Sequence, residues 1–404
     1  MNGVFQFAPI ANAASMAWRE VPEAAVEQLV EAAIAGIHRG GRLCAWCGIP
    51  ESDGTTILAV MAFDVENMLA VARSKPVKGA YPALTTHCAE AHMFERELWE
   101  QHRILPEGHP WLKPVRAHHG GAPAVGEFFE VEGGEMHEVA VGPVHAGIIE
   151  PGHFRFQCEG EQVLHLEIAL GYQHRGVEKA LVGGPHPVTP LQIETVAGDS
   201  SIAHMTAYAL VWEALTGCEA PLNAQWVRAI ALELERLANH TGDLGALAND
   251  VAFLPTSSAC GKLRGDFLNL TALICGNRFG RDLVRPGKGC WPLEPERGKR
   301  LLEELKVALE EVDQVAGWLW EASSVISRFE GVGSVTGEDA AAIGLVGPAA
   351  RACGLVRDVR YDHPAGWHRF AQLPVAVWPG GDVLARARVR WLEIQRSGEF
   401  ITEQ

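Results

Sequence analysis

The chain has no basic excess. Its 34 Lys and Arg stand against 50 Asp and Glu, a formal charge of −16 over 404 residues. That balance argues against nucleic acid and against adsorption to anionic lipid, though not against docking on another protein. Long apolar runs are missing too. No uninterrupted stretch reaches the roughly 18 residues a membrane helix needs, and the most apolar region, Ile202 to Leu215, carries His204 and Glu213. Met1 to Ala14 has no basic flank ahead of an apolar run, so no secretory signal is expected. Glycine is plentiful, yet no G-x-G-x-x-G follows a strand and no phosphate loop occurs, so no dinucleotide site is expected. The 17 histidines include neither His-x-x-x-His nor His-Glu-x-x-His on a helix, which removes the zinc-hydrolase signature. Nine cysteines, an odd number without disulfide spacing, suit a reducing cytoplasm. Only Cys44 and Cys47 form a C-x-x-C, and with no second pair nearby they read as core thiols ahead of a metal or redox site.

What remains is a chain long enough for two or three domains. Glu23 to Ile37 repeats Val26, Leu29, Val30, Ala33, Ile34 and Ile37 at helical spacing. Strand-like runs follow at Leu43 to Cys47 and Thr56 to Phe63 around a turn at Pro50 to Gly54, and Met93 to Trp99 reads as a short helix. Residues 1–116 are thus expected to be a small α/β domain. The Gly- and Ala-rich stretch that follows, with His118-His119, is expected to be a linker over residues 117–136. In the remainder, residues 137–404, His153 to Cys158 and Gln162 to Ile168 alternate around Glu159-Gly160-Glu161 and predict a β-hairpin. One of its faces holds Phe154, Phe156, Leu164, Leu166 and Ile168; the other holds His153, Arg155, His165 and Glu167. Ala224 to Ala238 and Arg300 to Phe329 carry apolar stripes and predict long bundle helices. The fold class is α+β.

Three segments go beyond composition. They are Gly142-Pro143-Val144-His145 through Glu150-Pro151-Gly152-His153-Phe154-Arg155-Phe156, then Gly171-Tyr172-Gln173-His174-Arg175-Gly176-Val177-Glu178-Lys179, then Leu234-Glu235-Arg236-Leu237-Ala238-Asn239-His240 to Leu244. They resemble the large subunit of energy-converting, membrane-bound [NiFe] hydrogenases of the formate hydrogenlyase type, and its relative, the quinone-site subunit of respiratory complex I. Tyr81-Pro82-Ala83-Leu84-Thr85, Phe94-Glu95-Arg96-Glu97-Leu98-Trp99 and Glu107-Gly108-His109-Pro110 resemble the small accessory subunit of complex I, fused ahead of the large-subunit module.

The resemblance implies a nickel–iron pair held by four thiolates, since soft sulfur suits those metals. Yet Ala197 and Ser200, in Glu194-Thr195-Val196-Ala197-Gly198-Asp199-Ser200, stand where the first two cysteines belong. The last common helix corresponds to Gly381 through Arg390, and Cys353, the final cysteine, has no partner three residues away. The expectation is that the C-terminal metal-ligand lobe is missing and that the chain binds no metal.

By the same resemblance Glu150 corresponds to a proton-relaying carboxylate, with a cap held by backbone amides as an equal alternative. Tyr208 corresponds to the tyrosine that bonds a quinone headgroup, with His153 near the facing histidine; the alternative makes Tyr208 a core residue beside Val211 and Trp212. His174, Arg175 and His204 would line the same chamber. Glu178 corresponds to a structural cation ligand, for which a salt bridge with Arg175 or Lys179 is the preferred reading.

The expected role is a subunit of a multisubunit, membrane-associated oxidoreductase, not catalytic alone. It would cover a small partner subunit that carries a 4Fe-4S cluster, with Arg155, Arg175 and Arg236 orienting that partner. Antiporter-like and anchor subunits would link it to the inner face of the cell membrane. A quinone- or small-acceptor-reducing subunit and a purely structural scaffold are the alternatives.

Overall fold

The computed structural model describes residues 5–116, 128–145, 150–289 and 291–404. Most of the expected linker, with His118 and His119, and residues 146–149 of the first family-like segment lie outside the described residues. The chain clusters into two compact units. One comprises Met1–Pro9, Trp18–Phe63 and Ala70–Val182; the other comprises Ile10–Ala17, Asp64–Leu69 and Gly183–Gln404. Sheets dominate the first and helices the second, an α+β architecture.

In the first unit, a sheet runs in the order Ala8–Ile10, Met68–Ser74, Gly54–Phe63, Arg42–Glu51, with Glu23–Ala24 pairing parallel to Met68–Ser74. The expected turn at Pro50 to Gly54 is shorter than predicted: pairing continues to Glu51 opposite Gly54. The helices Val26–His38 and His92–His102 accompany the sheet. Gly48 lets the second of them approach, because a Cβ there would meet the His102 ring at 2.6 Å. Trp46, Tyr81, Leu29, Ile57 and Leu98 form the core.

Glu95 explains why tyrosine and threonine occur in the Tyr81-to-Thr85 segment. Its fully buried carboxylate accepts from Tyr81 Oη (2.7 Å), Thr85 Oγ1 (2.6 Å) and the backbone N–H groups of Leu84 (2.7 Å) and Thr85 (2.9 Å). Each of its lone-pair directions is used, which is the condition for burying a charge.

The predicted hairpin is present as His153–Glu159 and Gln162–Ala169, and a third strand, Met136–Val141, pairs antiparallel with His153–Glu159. That third strand alternates only weakly and was not visible as a strand in the sequence. Register places Val139, Phe156 and Leu166 in one row and Val141, Phe154 and Ile168 in the next. A bulge between Val163 and His165 lets Leu164 fall out of this alternation.

The second unit is built on the helix Leu222–Asp250, against which Leu254–Cys275, Pro295–Glu321 and Val383–Glu403 pack. The stripe of Val227, Ile230, Leu234 and Leu237 is buried and meets Phe267, Leu305 and Ile394. Truncating Phe267 to Ala at this depth costs about 3–5 kcal/mol. The helix expected over Arg300 to Phe329 is two helices. Ala322 adopts φ −80°, ψ 105°, which ends the first and starts Ser323–Phe329. Asp382 starts the final helix by accepting from the backbone N–H of Ala385 at 2.7 Å.

Candidate functional site

The helix Ser201–Thr216 begins at the segment where thiolates were sought. Ala197 is exposed and carries no donor atom; Ser200 is half-buried. This segment does not fit a thiolate-held metal pair. Among the described residues no group of three or more His, Cys, Asp or Glu side chains is placed to hold a metal ion.

Other side chains fix the segment instead. Glu235 accepts the backbone N–H groups of Ile202 (2.8 Å) and Ala203 (3.0 Å), so a carboxylate from the next helix caps this helix N-terminus. Burial pushes the Glu235 carboxyl up to about 7, opposed by those two amides. Asn239 donates to Asp199 O at 2.9 Å, Arg264 pairs with Asp199 at 3.1 Å, and Ser201 donates to Glu194 O at 2.8 Å. Glu235 and Asn239 lie in the third family-like segment, where the sequence singles out Arg236 alone. A cap supplied from a distant helix leaves no local spacing to find.

Tyr208 sits on the same helix, half-buried against the main core cluster. Burial raises its phenol above the ordinary value, and a contact with the Trp212 side chain lowers it in part. Arg236, a candidate for facing a partner, turns into its own unit: its Nε donates to Glu233 at 3.1 Å. It joins a buried network. Glu233 accepts from Arg360 Nη1 (2.9 and 3.0 Å) and Ser397 Oγ (2.6 Å), and Glu393 accepts from His240 Nε2 (2.6 Å) and pairs with Arg351. Burial would raise the Glu393 and Asp358 carboxyls, but His240 holds the first, and Arg360 the second, down at about 2; Arg351 reinforces both.

The remaining candidates belong to the first unit. Glu150, His174 and Arg175 are exposed. Glu178 pairs with neither Arg175 nor Lys179 but with Arg116 at 3.1 Å, because Arg116 also pairs with Glu97 and so gathers both carboxylates. His153 is buried (8% exposed), its ring 5.3 Å from that of Phe128, and its Nε2 accepts from Arg155 Nε at 3.3 Å.

The three-stranded sheet that carries His153 faces the unexpected way. Its polar side is covered: Gln157 and Glu167 are 5% and 7% exposed, and Phe129 packs on His165 with centroids 4.5 Å apart. Arg155 lies 4.3 Å from the Phe128 centroid and pairs with Glu138. Glu167 accepts from Lys113 and from Phe129 N (2.8 Å), and despite burial these hold its carboxyl below the usual range. The apolar side is open. Leu166 and Ile168 are 42% and 46% exposed, and Val139 and Val141 are comparable.

Comparison with known proteins gives this architecture a class. The chain is a relative of the large subunits of membrane-bound hydrogenases and of complex I-type NADH-quinone oxidoreductases. Residues 250–404 match the family of the 49 kDa subunit of the respiratory-chain NADH dehydrogenase. The chain is similar to formate hydrogenlyase subunit 5 of Escherichia coli, 29% identical over 345 residues, covering 78% of this chain and 60% of that protein. The carbon monoxide-induced hydrogenase of Rhodospirillum rubrum is 29% identical over 63% of this chain and 71% of its own length. A large subunit of the NADH-quinone oxidoreductase of Chloroherpeton thalassium is 30% identical over 65% of this chain and 60% of its own. The chain thus spans less than two thirds of the first and third of these relatives. None of its described helices is long and apolar enough to cross a membrane.

Proposed function

We propose that the chain is a subunit of a membrane-associated, multisubunit oxidoreductase, that it holds no nickel–iron centre, and that it covers a small iron–sulfur subunit. One observation carries this reading: the three-stranded sheet buries its polar face and leaves Val139, Val141, Leu166 and Ile168 open. Contiguous exposed apolar surface on a folded unit marks an interaction site. The relatives supply the kind of assembly, since two are by name subunits of hydrogenlyase and quinone-oxidoreductase complexes. Ala197 and Ser200 support the metal-free role. Electrons would pass through the partner's cluster, while this chain sets the cluster's surroundings through packing and hydrogen bonds. Antiporter-like and anchor partners would hold the whole at the membrane.

The test is purification of the native assembly through a tag on this chain, with partners identified and metals counted. The double variant Leu166→Glu, Ile168→Glu should lose the iron–sulfur subunit while the chain itself melts unchanged. Retention of that subunit by the double variant, or nickel at about one per chain, would overturn the reading. Quinone reduction at Tyr208 is the second reading, and no contact of its phenol favours it over a packing role.

A further inference from the structure

The helix Ser201–Thr216 has a second side. Thr206, Leu210, Glu213 and Ala214 form a stripe roughly opposite Tyr208, and they line a cavity of about 350 Å³ wholly within the helical unit. A volume of that size suits a small molecule. The helix Leu222–Asp250 adds Gln225, Arg228 and Leu232, the turn Gly366–Arg369 adds Trp367, and Asn12 to Ser15 complete the rim.

Charge on the walls is cancelled before any ligand arrives. Glu213 accepts from Arg228 Nη2 (2.9 Å), Arg228 Nη1 (3.3 Å) and the backbone N–H of Gly287 (2.8 Å). Arg369 and Glu219 face each other at 3.5 Å. Three buried polar atoms of lining residues nevertheless have no partner among the described residues: Thr206 Oγ1, Gln225 Oε1 and Arg228 Nε. The Gln225 amide is oriented, because its Nε2 donates to Ala220 O at 2.8 Å. Gly366 leaves space beside Gln225 Oε1, since a Cβ there would stand 3.9 Å away. One donor, one acceptor and one hydroxyl thus wait on a neutral wall, and unpaired buried groups of this kind each cost about 1–3 kcal/mol.

We propose that this cavity binds a small, neutral heteroaromatic molecule with an amide or lactam edge. The ligand carbonyl would accept from Arg228 Nε, its N–H would donate to Gln225 Oε1, and the Thr206 hydroxyl would serve either. The ring would lie among Trp367, Leu210 and Leu232. A carboxylate or ammonium ligand would bring a charge with no counterpart left to meet it. A hydrocarbon would leave all three polar atoms unpaired. The proposal does not depend on the assembly described above.

Titration calorimetry of the full chain with nicotinamide and with uracil tests it, with nicotinate and toluene as charged and apolar controls. At least one neutral amide probe should bind about tenfold more tightly than either control, the discrimination a matched polar pair provides. Thr206→Val, which keeps shape and removes the hydroxyl, and Ala214→Leu, which fills space, should each weaken that probe about fivefold or more. Tyr208→Phe, on the opposite side, should leave binding unchanged. Nicotinate binding as well as nicotinamide, or neither amide probe binding in the millimolar range, would overturn the proposal. So would a crystal soaked in the bound probe that shows only ordered water between Arg228 and Gln225.

Discussion

The helical unit and the three-stranded sheet both turn charge inward, with opposite consequences. Around Glu233 and Glu393, each carboxylate meets arginine, histidine or serine from other segments, and the outer faces of those helices stay polar. The unit closes on itself. In the sheet, His153, Gln157 and Glu167 occupy the covered side under Phe128, Phe129 and Lys113, so alternation sends the apolar row outward. Buried charge completes a core in the first case and displaces surface toward a partner in the second.

The sharpest way to break this contrast is at Glu393. Glu393→Ala leaves Arg351 and His240 facing each other without a counterion, a loss of about 3–5 kcal/mol, read by urea unfolding of the full chain. At Leu166 and Ile168, by comparison, the double glutamate substitution should alter the chain's own stability by about 0.5 kcal/mol or less and abolish partner binding. Equal destabilisation at both places would end the distinction.

Acidity separates the two kinds of buried carboxylate within the helical unit. Glu393 and Asp358 have folded values near 2, below their ordinary ones. Their contribution is present above about pH 4.5 and is lost as pH falls toward 2. Glu235 runs the other way, since its folded value near 7 is raised. Its contribution is whole below about pH 4.5 and declines as pH rises through 7. Glu235→Gln should therefore flatten the fall in stability between about pH 5 and 7, measured by urea midpoints; an unchanged slope would refute the assignment. The smallest effect is expected at Tyr208→Phe, where stability should move by about 0.5 kcal/mol or less and acceptor reduction by the assembled complex should hold. A marked loss of turnover would restore the quinone reading.

Much of this was legible from periodicity. The stripe from Val227 to Leu237 and the alternation from His153 to Ile168 each repeat a local geometry, and local geometry is what a pattern records. The two halves of the Arg300 to Phe329 stretch share one helical phase, so the bend at Ala322 left no mark. Which side of the hairpin is covered was equally hidden. That depends on Phe128, Phe129 and Lys113, all outside the hairpin. Of the site residues, Ala197 and Ser200 were readable because a missing sulfur is a property of one position. The caps at Glu235 and Asn239, and the Arg116 pairing that replaces Arg175 at Glu178, join residues far apart in the chain, and composition carries no such link.

The two outer strands of the small sheet, Met136–Val141 and Gln162–Ala169, each present an unpaired edge next to that greasy row. An open edge beside exposed aliphatic side chains templates sideways pairing with further copies, and only the bulge near Leu164 interrupts it. Overproduced without its companions, the polypeptide should therefore clump, and a cell that makes it does best to match its synthesis to theirs.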